Sequence, residues 1–197
     1  MPELDAETLD YRATARLIKS AVSPRPIAWV STVDGDGNDN LAPYSSYNYV
    51  AYEPPVLMFS ASRKADGEWK DSARNAIDTG AFAVNVVTTE LAEVMDHTSE
   101  SLPRGESEFD VAGVKRADCT GIEAPRVADA AVSFECTLYD TKRINEKLLV
   151  FGEIQRYHVA DRVLTDGQID MRKLETVGRL GGPFYTASDR MELERQH

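Results

Sequence analysis

The chain has 197 residues, of which 42% are hydrophobic, and this fits one domain spanning residues 1–197 with a substantial core. Acidic residues outnumber basic ones by 33 to 22, and the net charge of −11 argues against a nucleic-acid partner, which requires a basic face. No apolar run approaches the roughly 18 residues of a membrane span, and the acidic N-terminus lacks a signal-peptide layout, so we expect a cytoplasmic protein with no membrane partner.

The first part of the chain predicts one helix followed by strands. Residues 11–22 have apolar side chains at helical spacing, whereas residues 26–33 form an apolar, β-branched run typical of a buried strand. The Asp-Gly pairs in residues 34–38 predict a turn. Residues 41–50 are expected to return as a strand, broken or bulged near Pro43, because proline cannot donate a hydrogen bond to a ladder.

The middle of the chain alternates between strand and helix patterns. Residues 54–61 predict another apolar strand, and residues 68–80 predict a helix that ends at Gly80. Residues 81–88 form a strand pattern. A second helix is predicted over residues 88–99, with a threonine cap and acidic residues in its first turn.

The last part of the chain is dominated by two long strands. Residues 102–114 predict a loop, and residues 131–144 and 147–160 predict strands joined by a tight connection at Asn145. Residues 177–188 form a glycine-rich turn with aromatic residues. Many short strands without regular βαβ alternation favour a β-barrel with added helices. A Rossmann fold is not expected, because no GxGxxG motif opens a helix.

The sequence predicts no metal site. Cys119 and Cys136 match no zinc or CxxC spacing, and Cys136 lies in an apolar run typical of a core. The three histidines, His97, His158 and His197, are scattered along the chain.

Two stretches before residue 50 could contact a ligand. Arg25 stands between two prolines, and a restricted backbone suits a fixed anion contact, although a surface arginine in a stiff loop is the alternative. The row of residues 42–49 offers hydroxyls and backbone groups for the edge of a heterocycle, and tyrosines that can pack beside a flat ring. A strand with a polar outer face would look the same.

Two later stretches suggest an anion site and a close backbone approach. Hydroxyls and cations gather in residues 60–75, several of them at a predicted helix N-terminus, which favours a phosphate. Asp71 and Glu68 dilute that positive charge, so a solvated helix start is the alternative. Gly181 and Gly182 leave room for a ligand, or form a plain turn.

Taken in order, seven stretches resemble the flavin reductase-like family, the FMN-binding split barrels that include flavoredoxin. The stretches are residues 23–32, 40–48, 54–60, 70–87, 107–114, 151–154 and 179–185. The resemblance implies a mainly β fold, a six-stranded split β-barrel with peripheral helices. It also implies a homodimer that binds FMN non-covalently near the dimer interface.

The resemblance also implies roles for individual residues. The segment matching 41–49 would line the isoalloxazine ring, and the segment matching 60–75 would hold the phosphate through Lys70 and Ser72. The implied FMN-binding residues are Arg25, Ala42, Pro43, Tyr44, Ser45, Ser46, Tyr47, Ser60, Ser62, Arg63, Lys70, Asp71, Ser72 and Asn75. The nicotinamide is expected to contact Gly181, Gly182 and Tyr185. This chain departs from the family in having Tyr47 where phenylalanine is frequent and Ser72 where threonine is frequent.

The function implied by the resemblance is an NAD(P)H-dependent flavin reductase that transfers hydride from NADH or NADPH to flavin N5. No catalytic acid or base stands out, which agrees with a cofactor that supplies the redox chemistry itself. A non-enzymatic FMN-binding electron carrier or flavin storage protein is the alternative. A split barrel without flavin is a third hypothesis.

Overall fold

The structure is a computed structural model that describes residues 1, 3–103, 105–187 and 190–193. Its helices are α1 Tyr11–Ala21, α2 Asp71–Thr79, α3 Ala92–His97 and α4 Glu108–Val111. Its strands are β1 Arg25–Pro26, β2 Ala28–Val33, β3 Asp39–Tyr44, β4 Tyr47–Tyr52, β5 Pro55–Ser62, β6 Ala81–Val86, β7 Arg116–Ala117, β8 Arg126–Val127, β9 Val132–Ile144, β10 Lys147–Val159, β11 Leu164–Thr165, β12 Gln168–Ile169, β13 Val177–Arg179 and β14 Tyr185–Ala187. None of the described helices is long and apolar enough to span a membrane.

Seven antiparallel strands form the main sheet in the order β3-β2-β6-β9-β10-β5-β4. β3 and β4 follow each other in the chain, separated only by Ser45 and Ser46, yet they stand at opposite ends of this order. The sheet must therefore curl until its ends approach. The N–H of Ser60 donates to the Ser46 carbonyl at 2.9 Å, and the rings of Tyr44 and Phe59 lie 4.8 Å apart.

The predicted strand over residues 41–50 is thus two strands, and the break lies just after the predicted position near Pro43. Pro43 itself stays in register opposite Trp29 of β2. Counted as one interrupted strand, β3 and β4 give the six strands of the predicted barrel. The mainly β split-barrel fold is confirmed.

Two hydrophobic cores lie on the two sides of the curled sheet. The interior core contains Ala28 and Val30 of β2 together with Phe59 and Phe82. Trp29, which stands between Ala28 and Val30 in the sequence, packs in the second core, which α3 and α4 cover. Because β2 is buried on both sides, its sequence is continuously apolar or small rather than alternating.

The helices differ from the predicted ones mainly at their ends. α2 ends where predicted, since Gly80 adopts the left-handed conformation at φ 73°. The predicted helix over residues 88–99 is a 3-10 turn, Thr89–Leu91, followed by the short α3. The predicted loop over residues 102–114 contains the four-residue α4, whose first turn is capped by Ser107, which accepts from the Phe109 N–H.

Gly152→Ala is expected to lower the free energy of unfolding by about 1–3 kcal/mol, because overpacking a core forces its side chains to shift. A Cβ at Gly152 would lie 2.3 Å from Cζ of Phe82 and 3.0 Å from Cβ of Cys136. Urea denaturation measures the loss. Gly35→Ala is the matched control, since a Cβ at Gly35 meets nothing within 4 Å. Equal effects of the two substitutions would contradict this account of the barrel interior.

Candidate flavin site

Two adjoining cavities lie at the first turn of α2. Both are bounded by Asn40, Asp71, Leu102 and Glu108. Of the predicted FMN-binding residues, Ala42, Tyr44, Lys70, Asp71 and Ser72 line one cavity, and Asp71 and Asn75 line the other. The fold therefore brings the row after β2 and the 60–75 cluster to one place.

Within the described part of the chain, the charges around α2 leave the Lys70 ammonium group without an ion pair. Asp71, the first residue of the helix, pairs with Lys64 at 2.6 Å and with Arg74 at 2.5 Å. Lys70 occupies the cap position just before it and makes no ion pair within the described residues. Its ammonium group and the free N–H groups of the first helical turn are both suited to an anion.

Buried polar atoms without hydrogen-bond partners lie in the same place. Among the described residues, Tyr44 Oη and Asn75 Oδ1 are buried and unpaired. Burial raises the pKa of Tyr44, although the nearby Ser72 hydroxyl lowers it in part, so the phenol keeps its proton and can donate. An unpaired buried polar atom costs about 1–3 kcal/mol. Tyr44 lines one of the two cavities and Asn75 lines the other.

Glu108 contributes a buried carboxyl group to both cavities. Burial raises the pKa of Glu108, and a hydrogen bond from the Leu41 N–H, at 2.9 Å, offsets this only in part. Glu108 is therefore harder to ionise than an exposed glutamate. The sequence prediction missed Glu108, because it fell in a stretch predicted as a loop.

The wall opposite α2 was also missed. Residues 98–102 line the cavity that contains Lys70, together with Lys64. Thr98 is anchored there because its hydroxyl accepts from Nε1 of Trp29 at 2.9 Å and donates to the Met95 carbonyl at 2.7 Å. Nothing in the local sequence pattern of this segment signals a binding wall, since its position depends on contacts with β2.

Other residues of the predicted FMN set do not line these two cavities. The Arg63 guanidinium stacks 4.0 Å from the centre of the Trp69 ring. Ser60 and Ser62 lie on β5, where the Ser62 carbonyl accepts from the Lys70 N–H at 3.4 Å. Ser45 and Ser46 form the bend between β3 and β4, and Pro43 lies within β3.

Tyr47 lies on a different, larger surface. It lines an apolar groove of about 640 Å³ together with Pro24, Pro26, Phe134 and Gly178. The row of residues 42–49 is therefore divided, with Ala42 and Tyr44 at the α2 cavities and Tyr47 at the groove.

Arg25 joins two backbone segments, one of them distant in the sequence. Its Nη1 donates to the carbonyls of Lys19 and Val22 at 2.5 and 2.9 Å, and Nη2 donates to the Leu180 carbonyl at 2.9 Å. These bonds tie the end of α1 to the turn between β13 and β14. Arg25 does not line the cavities at α2.

The predicted nicotinamide residues lie around that same turn. A Cβ at Gly181 would lie 3.0 Å from Oγ of Ser20, and Gly182 has φ 62°, which side chains rarely adopt. Tyr185 donates to Asp96, and the Arg179 guanidinium stacks 4.3 Å from its ring centre. A side chain at Gly182 would therefore strain the backbone, whatever space surrounds it.

A family model for the flavin reductase like domain matches residues 20–175, well over half of the chain. The chain belongs to the flavin reductase-like family. This confirms the resemblance carried by the motifs and supports a flavin-binding oxidoreductase.

Solved structures agree with this assignment. The flavin reductase-like chain is similar to nitrilotriacetate monooxygenase component B from Bacillus cereus, with 32% identity, a TM-score of 0.92 and 98% of each chain covered. It is also similar to 2-nitrobenzoate 2-nitroreductase from Pseudomonas fluorescens, with 30% identity, a TM-score of 0.90 and coverage of 99% and 96%. A proposed flavin reductase with a split barrel domain from Shewanella frigidimarina has 25% identity, a TM-score of 0.84 and coverage of 97% and 96%.

The flavin reductase-like chain has a second polar cluster away from α2, formed by Cys119, Glu135 and His158. Their potential ligand atoms lie within 4.8 Å of one another. The Glu135 carboxylate, however, accepts from the N–H groups of Thr120 and Gly121, each at 2.7 Å, and bonds Nε2 of His158 at 2.5 Å. Burial raises the pKa of the Cys119 thiol to about 12. We interpret the cluster as a structural carboxylate site.

The ionisation of Glu135 should make the stability of the fold depend on pH. Burial alone would raise its pKa, but the hydrogen bonds from Thr120, His158 and Gly121 outweigh burial and lower it. Its ionised form therefore stabilises the fold above the pKa of an unfolded glutamate, about 4.3. That contribution is lost as the pH falls through the lower pKa of the folded state.

Glu135→Gln should accordingly lower the melting temperature clearly at pH 7, and the difference from the wild type should shrink toward pH 3. Thermal melts followed by circular dichroism across this range provide the measurement. Glu146→Gln, at an exposed turn position, controls for the loss of one negative charge. A difference that is independent of pH would mean that the carboxylate charge has no such role.

Proposed function

We propose that this chain binds FMN with its phosphate end at the two cavities beside α2, which measure about 30 and 50 Å³, and acts as an NAD(P)H-dependent flavin reductase. The observation that carries the proposal is the combination of Tyr44 Oη and Asn75 Oδ1, buried and unpaired among the described residues, with the unpaired cation of Lys70. This donor set fits a molecule that has both hydroxyl groups and an anionic end.

The phosphate of FMN is the group that Lys70 would hold. Charge-assisted hydrogen bonds are the strong ones, and the first turn of the nine-residue α2 adds N–H donors and the positive end of its dipole. Ser72 follows within that turn, and its hydroxyl already accepts from Nδ2 of Asn40 at 2.8 Å. A Ser72 hydroxyl oriented in this way can direct its own proton toward a phosphate oxygen.

The ribityl chain supplies the complementary hydroxyl groups. Tyr44 can donate, and Asn75 Oδ1 can accept, so both orphaned atoms find partners on a polyol. The backbone of the segment from Ala42 to Tyr47 would then face the isoalloxazine ring. FMN, once bound, supplies the redox chemistry by accepting hydride at N5 from NADH or NADPH. The protein binds the cofactor, orients it and keeps one ring face accessible.

A non-enzymatic electron carrier remains the second candidate function, since it would need the same FMN site. The two functions differ in whether a reduced nicotinamide reacts. Anaerobic mixing of the FMN-loaded protein with NADH and, separately, with NADPH decides between them. Bleaching of the flavin absorption band within the time of catalytic turnover supports the reductase, and a flavin that stays oxidised supports the carrier.

The phosphate assignment predicts that FMN binds more tightly than riboflavin. Lys70→Gln should weaken FMN binding by roughly tenfold or more, because a hydrogen bond to a charged group contributes about 1.5–3 kcal/mol. The same substitution should leave riboflavin binding unchanged. Flavin fluorescence titration measures all four affinities.

Lys142→Gln is the matched control for this prediction, because it removes one exposed lysine charge from β9, outside the lining of both cavities. Equal affinities of the wild type for FMN and riboflavin would refute the phosphate assignment. An equal loss in both lysine variants would show only a general effect of net charge.

We also propose that the protein is a homodimer. Tyr49, Val50 and Tyr52 on β4 are exposed, and the rings of Tyr49 and Tyr52 stack at 5.3 Å. β4 stands at one end of the strand order, and an exposed apolar end strand requires cover. Two-fold dimers are the commonest way to provide it.

Light scattering at moderate salt should therefore give the mass of two chains, and Tyr49→Asp combined with Tyr52→Asp should shift the protein toward monomer. Salt matters because two chains of net charge −11 repel each other, and ions screen that repulsion. Met171→Asp, at another exposed apolar position, is the control. A wild type that is monomeric at every salt concentration would refute the dimer.

A further inference from the structure

The helix α1 carries three exposed cations on the side that faces the Gly181–Gly182 turn. Arg12, Arg16 and Lys19 line a cavity of about 350 Å³ against Gly181 and Gly182. Leu17, Ile18 and Val22 are exposed as well, and no residue of α1 is buried. A surface helix ordinarily turns its cations to open water. Here Arg12, Arg16 and Lys19 gather around one concave surface, which suits it to bind something negatively charged.

The cavity has no negative charge of its own within the described residues. Its remaining lining is Tyr11, Ala15 and Ser20, and none of its three cations makes an ion pair in the described part of the chain. Two further arginines lie at its edge: Arg25 bonds the Leu180 carbonyl, and Arg179, which pairs with Asp96 at 3.7 Å, donates to the Gly182 carbonyl at 2.8 Å. In a chain of net charge −11, this is a strongly positive concave surface.

The cavity also lies beside the apolar groove that contains Tyr47. The groove is lined by Gly178, and the cavity begins at Gly181, so the strand β13 and its turn connect the two. At about 3.3 Å per residue, their edges are separated by roughly 10 Å of chain. A ligand with a flat apolar end and an anionic end could therefore occupy both.

We infer that the cavity between α1 and the Gly181–Gly182 turn binds the adenosine phosphates of a reduced nicotinamide dinucleotide, and that it favours NADPH over NADH. This inference rests on the proposed reductase function. Tyr11 offers an aromatic face for the adenine, and the glycine turn allows close approach of the sugar. Three cations exceed what the pyrophosphate alone would need, whereas a 2′-phosphate adds the extra negative charge. The nicotinamide would then reach the groove beside Tyr47.

The direct test is calorimetric titration of the purified protein with 2′,5′-ADP, 5′-AMP and inorganic phosphate. We expect 2′,5′-ADP to bind the most tightly, at least tenfold more so than 5′-AMP. Arg12→Gln combined with Arg16→Gln should weaken 2′,5′-ADP binding by roughly tenfold or more, since each arginine would supply charge-assisted hydrogen bonds. Glutamine keeps the helix, because its propensity is close to that of arginine.

The control for charge is Lys142→Gln combined with Lys147→Gln, which also removes two positive charges, here from the hairpin of β9 and β10. This control should bind 2′,5′-ADP as the wild type does. Unmeasurable binding of 2′,5′-ADP to the wild type, or an equal loss in both double variants, would overturn the inference. If inorganic phosphate binds as tightly as 2′,5′-ADP, the inference is also overturned, because the site would then recognise negative charge and not the nucleoside.

A second readout separates this inference from the proposed function. FMN affinity, measured by fluorescence, should be the same in the wild type and in the Arg12 and Arg16 variant. Steady-state kinetics should show a higher KM for NADPH in that variant, a smaller rise in the KM for NADH and little change in kcat. If the FMN-loaded variant has the same KM and kcat with NADPH as the wild type, the cavity assignment is refuted and the reductase function stays intact. A wild type that binds 2′,5′-ADP but is never reduced would support the cavity and refute the reductase.

Discussion

The two-residue link between β3 and β4 is the constraint on which the rest of the structure depends. Strands joined so closely would ordinarily pair as a hairpin, but β3 pairs with β2 and β4 pairs with β5. Both pairings can hold only if the seven-stranded sheet curls until its ends approach. Closure places Tyr44 against Phe59, creates the interior core and delivers Ala42 and Tyr44 to the start of α2. The candidate flavin site is thus a consequence of barrel closure.

An acidic protein that binds a phosphate must limit repulsion from its own carboxylates. Three acidic residues near the α2 cavities are handled in different ways. Asp71 is paired with two cations, Asp39 is paired with Arg116, and burial raises the pKa of Glu108. Asp34, Glu100 and Glu106 line the cavities as well, and beside them Lys70 makes no ion pair within the described residues. Local pairing therefore matters more at this site than the net charge of −11, which acts mainly between chains and on distant partners.

Sequence patterns could predict the elements whose signals are local. The end of α2 at Gly80 and the long strands β9 and β10 follow from turn chemistry and apolar runs. The division of residues 41–50 into two strands could not be placed correctly, because Pro43 is the local breaker while the true break serves sheet closure. The wall formed by residues 98–102 was missed for a related reason, since a hydrogen bond to Trp29, far away in the sequence, fixes Thr98.

Arg25 shows how a residue can matter to a site without touching its ligand. Its position between two prolines suggested an anion contact, but three of its N–H groups point at carbonyl oxygens. One of those carbonyls belongs to Leu180, 155 residues later in the chain. This bond holds α1 beside the β13 and β14 turn, and only that arrangement sets Arg12, Arg16 and Lys19 opposite Gly181 and Gly182. The flanking prolines keep the backbone of Arg25 fixed while its side chain joins these segments, so the motif acts on the dinucleotide cavity through position rather than through charge.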